Sequence, residues 1–253
     1  MPFEFVSIQD AIAKPGLRMV VIGNIPSPWS ESAKGIFAVK GIEWVAARLV
    51  YDDPALPEWI GELSAPAAVL DDEAPRTGWD AILLLAERLV PQPSLLPEHA
   101  AERAVMMGLS HELLGEGGLC WSRRLQGIHA GLSGNGGFAP KVSAYLGAKY
   151  GYQPERGEAA SRRVCDLLRM FADRLQASTG DYLIGEQLTA ADIHLATSMA
   201  MFAPLPPEQC AMRESYRETF SWLDAPTKDA LHPTLLEHRD RIYARHLELP
   251  LAL

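Results

Sequence analysis

The sequence predicts an α/β region followed by an all-helical region. Three observations carry this reading. Two β-branched runs flank a segment of helical period near the start of the chain, strand-like alternation stops after Pro91-Gln-Pro93, and long helical patterns take over beyond it. The 253 residues, 48% hydrophobic and 22% charged, suffice for one large domain or two smaller ones with ordinary cores.

Arg18-Met-Val-Val-Ile-Gly23 is the first strand, closed by glycine, and residues 43–50 are the second. Between them, residues 30–40 place Ala33, Ile36, Phe37 and Lys40 at helical spacing before Gly41, which completes a β-α-β unit. A helical turn fits 56–63, a short strand fits 67–70 after Pro66, and a third helix fits 81–89. Residues 1–17 are read as an N-terminal extension, 18–90 as the α/β domain and 97–253 as the helical domain.

In the second region a helix opens at 98–108 and its period continues over 109–132. Gly115, Gly117 and Gly118 each weaken a helix interior by about 1 kcal/mol, so a kink or break is expected there. Residues 133–137 form a loop. Residues 158–175 carry Val164, Leu167, Leu168, Phe171 and Leu175 on one face and charges on the other, the pattern of an amphipathic helix. Thr189-Ala-Ala-Asp192 precedes an apolar run to Phe202, which predicts a capping box on a helix buried on nearly every side.

A net charge of −9 repels a phosphate backbone and argues against nucleic acid. Neither a signal peptide nor an uninterrupted apolar span is present, so no membrane partner is expected. Cys120, Cys165 and Cys210 form no C-x-x-C pair and are odd in number, which fits a reducing compartment, the cytoplasm. Seven histidines form no H-x-x-x-H pair, so no metal is expected, and His194 is read as a hydrogen-bonded core residue. Neither a nucleophile elbow nor a P-loop occurs.

The segment Leu188-Thr-Ala-Ala-Asp192-Ile193 resembles the N-capping box of the central helix in cytosolic glutathione transferases. Residues 27–42, Ser-Pro-Trp-Ser-Glu-Ser-Ala-Lys-Gly-Ile-Phe-Ala-Val-Lys-Gly-Ile, are similar to the first helix of omega- and zeta-type members, and Pro66 falls where that family carries a cis-proline. The resemblance covers roughly residues 18–202. It implies a thioredoxin-like N-terminal domain, an all-α C-terminal domain, glutathione as cosubstrate, a small-molecule electrophile as acceptor and a homodimer.

By the same resemblance Ser27 faces the glutathione sulfur. Lowering a thiol from about 8.5 to about 6.5 requires roughly 2.7 kcal/mol of preference for the thiolate. One hydroxyl donor supplies about 1.5 to 3 and a helix N-terminus about 0.3 to 1. Ser30 is the second candidate for the glutathione site, but Ser27-Pro28 ahead of Ser30 is also what an ordinary capped turn looks like, with Ser30 as the N-cap, and Trp29 either lines the pocket or packs on the sheet. The resemblance also implies that Ala65, before Pro66, meets the cysteinyl part of glutathione.

One departure from the family stands out. The Glu or Gln followed by Ser that binds the γ-glutamyl end is replaced by Gly78-Trp79, flanked by Thr77 and Asp80. Thr77-Gly-Trp-Asp80 is itself a capping pattern, so its backbone donors are either capped or free for a carboxylate. A non-catalytic binding or scaffold protein is therefore the alternative function. Finally, Trp121 and Arg123 or Arg124 lie on the helix that forms the acceptor pocket in the family, which implies stacking of Trp121 on an aromatic substrate and an arginine on an acidic one, although an amphipathic surface face is the better explanation from the sequence.

Overall fold

The computed structural model describes residues 4–253. Four strands form one sheet in the order β1-β3-β2-β4: β1 (Phe5–Val6), β2 (Leu17–Val21), β3 (Val45–Arg48) and β4 (Ala67–Leu70). β3 runs parallel to both β1 and β2, and β4 is antiparallel to β2, with Met19 opposite both Ala46 and Ala68. An added bridge pairs Ala68 with Arg76.

The period of two along β2 sorts its side chains between two cores. Leu17, Met19 and Val21 join the main core, whereas Val20 faces the smaller one. The smaller core lies under α1 (Ile8–Ala13) and α3 (Ala55–Ile60), which contribute Ile8, Ala11, Leu56 and Ile60. The main core begins under α2 (Pro28–Val39) and α4 (Trp79–Leu89) and continues without a break into the helical region. This is the thioredoxin-like arrangement that the sequence led us to expect.

Residues 4–17 are not an appendage. Phe5 and Val6 pair with Ala46 and Ala47, and Ile8 and Ala11 seal the smaller core. A two-residue strand leaves no alternation to detect. The start of α1, however, was legible: Ser7 caps Asp10 N–H at 3.0 Å in an S-x-x-D pattern. Residues 1–3 of the expected extension lie outside the described residues.

Every described element beyond β4 is helical. α5 (Ala100–Leu114) and α6 (Leu119–Leu132) are separate helices, broken where the glycines predicted. The break is enforced at Gly118, where a Cβ would stand 2.7 Å from the His111 carbonyl oxygen. α7 (Pro140–Lys149), absent from the sequence reading, precedes α8 (Pro154–Ala177), which contains the predicted amphipathic helix and buries Val164, Leu167, Leu168, Phe171 and Leu175.

α9 (Ala190–Ser198) is buried at every residue and passes into a 3-10 turn at Met199–Met201. It packs on α2, α5 and α12 (Pro233–His246), and so it joins the two regions. Gly35 of α2 allows the close approach, since a Cβ there would meet Ile193 at 3.1 Å and Leu247 at 2.9 Å. α10 (Glu214–Ser221) and α11 (Ala225–Ala230) complete the helical layer. Among the described residues no helix is long and apolar enough to cross a membrane, and no group of three potential metal ligands occurs.

Candidate functional site

A cleft of about 1580 Å³ opens between the sheet region and the helical region. It brings together Ser27, Trp29, Ala65, Pro66, Thr77, Gly78, Trp79, Asp80, Trp121 and Arg124, residues far apart in the chain.

Ser27 is the N-cap of α2 and is only 2% exposed. Its backbone carbonyl accepts from Glu31 N–H at 2.8 Å, but its hydroxyl makes no capping bond. Pro28 at the first helical position explains why the helix starts earlier than expected: its fixed φ suits N1 and it has no N–H to satisfy. Ser30 therefore lies inside the first turn and is not an N-cap. Its hydroxyl accepts from Ile22 N–H at 3.0 Å, and the residue is fully buried away from the cleft. That bond ties α2 to the end of β2, and Ser30 is not among the residues that line the cleft.

Trp29 lines the cleft and packs against the main core. Its Nε1 donates to the Leu114 carbonyl at 2.7 Å, joining α2 to the end of α5 in the helical region. Ala65-Pro66 is a cis peptide, and both residues face the cleft.

The N-terminus of α4 differs from its predicted capping. Gly78 is the N-cap and has no side chain to offer, Thr77 stands outside the helix and is exposed, and neither Thr77 nor Asp80 makes a cap bond. The first N–H groups of α4 are thus uncapped at the edge of the cleft. The Asp80 carboxylate folds back so closely that a Cβ on Gly78 would meet its Oδ1 at 2.5 Å. Trp79 packs edge-to-face on His194 at 5.5 Å, so it is also part of the contact between α4 and α9.

His194 is fully buried, and neither ring nitrogen has a hydrogen-bond partner, contrary to the expected hydrogen-bonded histidine. Burial pushes it down to about 3, so it is neutral. The cysteines are free and buried, and burial raises Cys120 to about 12 and Cys210 to about 11. Both thiols stay protonated at neutral pH and are poor nucleophiles.

The two adjacent arginines of α6 have different surroundings. Arg123 Nε donates to Met201 O at 3.0 Å and Nη1 to Gln126 Oε1 at 2.7 Å, while Nη2 donates to the Trp222 carbonyl. Its guanidinium also lies over Phe202 and Trp222. It is a structural tie and does not reach the cleft. Arg124 reaches it, lying 5.9 Å from the Trp29 ring centroid and 5.7 Å from that of Phe138.

Sequence reasoning missed the aromatic wall beside Arg124. Tyr51 and Tyr145 meet edge-on at 5.9 Å, and Tyr150 meets Trp121 at 4.7 Å. Lys149 lies 5.7 Å from the Tyr51 ring centroid and is held below its ordinary value by burial first and the charge of Arg124 second. The available signal was Tyr145 and Lys149 one helical turn apart after Pro140.

Residues 138–227 match the family model described as glutathione S-transferase, C-terminal domain. No curated protein sequence matches the chain. Among solved structures it is similar to a glutathione S-transferase from Methylobacterium radiotolerans in complex with glutathione sulfonate, at 19% identity and TM-score 0.63, covering 90% of this chain and 91% of that one. It is also similar to a maleylacetoacetate isomerase from Methylobacterium extorquens with bound malonate and glutathione, at 20% identity and TM-score 0.62, covering 93% and 97%. A third is the β-etherase LigF from a Sphingobium strain, at 18% identity and TM-score 0.63, covering 91% and 96%.

Proposed function

We propose that this chain, whose residues 138–227 match the glutathione S-transferase C-terminal model and whose fold is that of solved glutathione transferases, activates glutathione at Ser27 for attack on a small electrophile. The observation that carries the reading is Ser27, which lines the cleft at a helix N-terminus and whose hydroxyl makes no capping bond. Glutathione-bound relatives of the same fold support the ligand.

The residues present fit the tripeptide at two points. Ser27 donates its O–H to the thiolate, helped by the N-terminus of α2, which together favour the anion by about 2 to 4 kcal/mol. The uncapped N–H groups of α4 receive a carboxylate. Glutathione supplies the nucleophile: its sulfur loses a proton to solvent and forms a C–S bond, and the displaced electron pair leaves with the leaving group or moves into the conjugated acceptor. Ser27 holds the sulfur and forms no covalent bond.

At the γ-glutamyl end the usual side chains are replaced by Gly78 and Trp79. Losing a charge-assisted bond costs about 1.5 to 3 kcal/mol, so affinity is at least tenfold weaker than with the family's pair. The three free cysteines support a reducing compartment, read here as the cytoplasm, and a homodimer is the assembly expected of the fold. Light scattering checks the second point.

Calorimetric titration with glutathione and a conjugation assay on the native chain and on Ser27→Ala test the reading. Weak saturable binding by both proteins is expected, with conjugation falling only in the variant. No binding to the native chain would replace this reading with the non-catalytic scaffold.

A further inference from the structure

Arg124 is 8% exposed, its Nε is sealed from solvent without a partner, and among the described residues it makes neither a hydrogen bond nor an ion pair. A buried guanidinium is normally paired, because desolvating an uncompensated charge is costly. The acidic residues of the cleft, Glu62, Glu116 and Glu218, leave it unpaired, and Asp80 lies over Gly78. The rings of Trp29 and Phe138 hold it in place, but cation-π contact satisfies none of its five donors. The rest of the guanidinium faces the cleft.

We propose that Arg124 is the receptor for the carboxylate of an aromatic acid, which makes the acceptor half of the cleft specific for flat organic carboxylates. The fork of an arginine matches a planar carboxylate through two parallel N–H···O bonds. Beside it, Trp121 with Tyr150 and Tyr51 with Tyr145 offer ring edges and faces at the spacing of aromatic stacking. Lys149 adds a second positive charge to the same wall, although its Nζ already donates to Leu63 O at 3.2 Å. A carboxylate completes the missing partner set of Arg124 and leaves the aromatic body of the ligand against this wall. This names the acceptor class for the reaction proposed above and rests on that reading only for the identity of the second substrate.

The probes are 2-naphthoate and its neutral counterpart 2-naphthamide, titrated calorimetrically into the native protein with and without saturating glutathione. The native chain is expected to bind the carboxylate at least tenfold tighter than the amide. Arg124→Gln should bring the ratio close to one while leaving amide and glutathione affinities within about twofold. Arg124→Lys, which keeps the charge and loses the fork, should lower the ratio at least threefold, and it decides the matter if the glutamine variant does not fold. Equal binding of the two probes to the native chain overturns the proposal. So does a preference that survives either substitution, or competitive displacement of 2-naphthoate by glutathione, which would make Arg124 part of the cosubstrate site. A chain that prefers 2-naphthoate but binds no glutathione refutes the thiolate reading alone; one that binds glutathione with a probe ratio near one refutes only this inference.

Discussion

The N-termini of α9 and α4 lie within one ring contact of each other, through Trp79 and His194, yet they are finished in opposite ways. At α9, Asp192 is fully buried. Its Oδ2 accepts from Thr189 N–H at 2.9 Å and from the Thr189 hydroxyl at 2.8 Å, and its Oδ1 accepts from Leu183 N–H at 2.8 Å. At α4 the cap is a glycine and no side chain returns to the backbone. A closed helix end in a core stabilises the fold. An open one at a cleft leaves donors for a ligand at little structural cost.

The largest expected effect comes from opening the closed end. Asp192→Ala strands the buried Leu183 and Thr189 N–H groups, each worth about 1 to 3 kcal/mol when unmade, and deletes the box. A loss of about 3 to 5 kcal/mol should lower the melting midpoint by about 6 to 20 °C. A midpoint within a degree of the native value would show that the two helix ends do not differ as described.

Acidification probes the same closed region through its histidines. Burial pushes His194 down to about 3 and His238, near Asp192, down to about 4, so both stay neutral in the fold while an unfolded chain protonates them below about 6.5. Both therefore favour unfolding as pH falls from 6.5 towards 4. Asp192 acts in the opposite direction. Burial raises it from 3.8 to about 6, so the fold takes up that proton first and gains stability over the same range. Two histidines outweigh one carboxylate, and chemical denaturation should show stability falling by a few kcal/mol between pH 6.5 and 4. The loss should be smaller in His194→Phe.

At the open end of α2, removal of the hydroxyl affects chemistry and leaves folding nearly intact. Ser27→Ala should reduce the glutathione conjugation rate by about 10- to 150-fold, the equivalent of about 1.5 to 3 kcal/mol, and move the thiol titration of the complex upward in a pH-rate profile. An unchanged rate would assign thiolate stabilisation to the helix terminus alone. The smallest effect sharpens the comparison most. Thr77→Ala removes an exposed side chain with no cap bond, so its stability should stay within about 0.5 kcal/mol of native by denaturant titration. A loss near 1 kcal/mol would mean that Thr77 caps α4 in solution.

The family's γ-glutamyl pair, installed by Gly78→Glu with Trp79→Ser, meets unequal resistance at the two positions. A Cβ at 78 clashes only with the exposed Asp80 carboxylate, which can rotate away, whereas loss of the Trp79 ring removes the edge-to-face contact with His194. The departure at 79 is thus built into the packing between α4 and α9, and the one at 78 is not.

Local chemistry determined much of this protein from its sequence. The capping residues at 189 and 192, the glycines that separate α5 from α6, and the amphipathic period of α8 act over a few residues and were legible without the fold. So was the position of Ser27 at a strand-helix turn. The edge strand escaped because two residues carry no period, and of α1 only the Ser7 cap was legible in so short a helix. The roles of Arg123 and Arg124 were decided by tertiary structure alone. Side chains one residue apart on a helix point about 100° apart, and nothing in Trp121-Ser-Arg-Arg124 indicates which direction faces a core. Met201 and Trp222 engage one guanidinium, whereas Trp29 and Phe138 leave the other unpaired at the cleft. Three of those four partners are more than seventy residues away in the chain, so only the folded arrangement could separate the structural arginine from the one that lines the cleft.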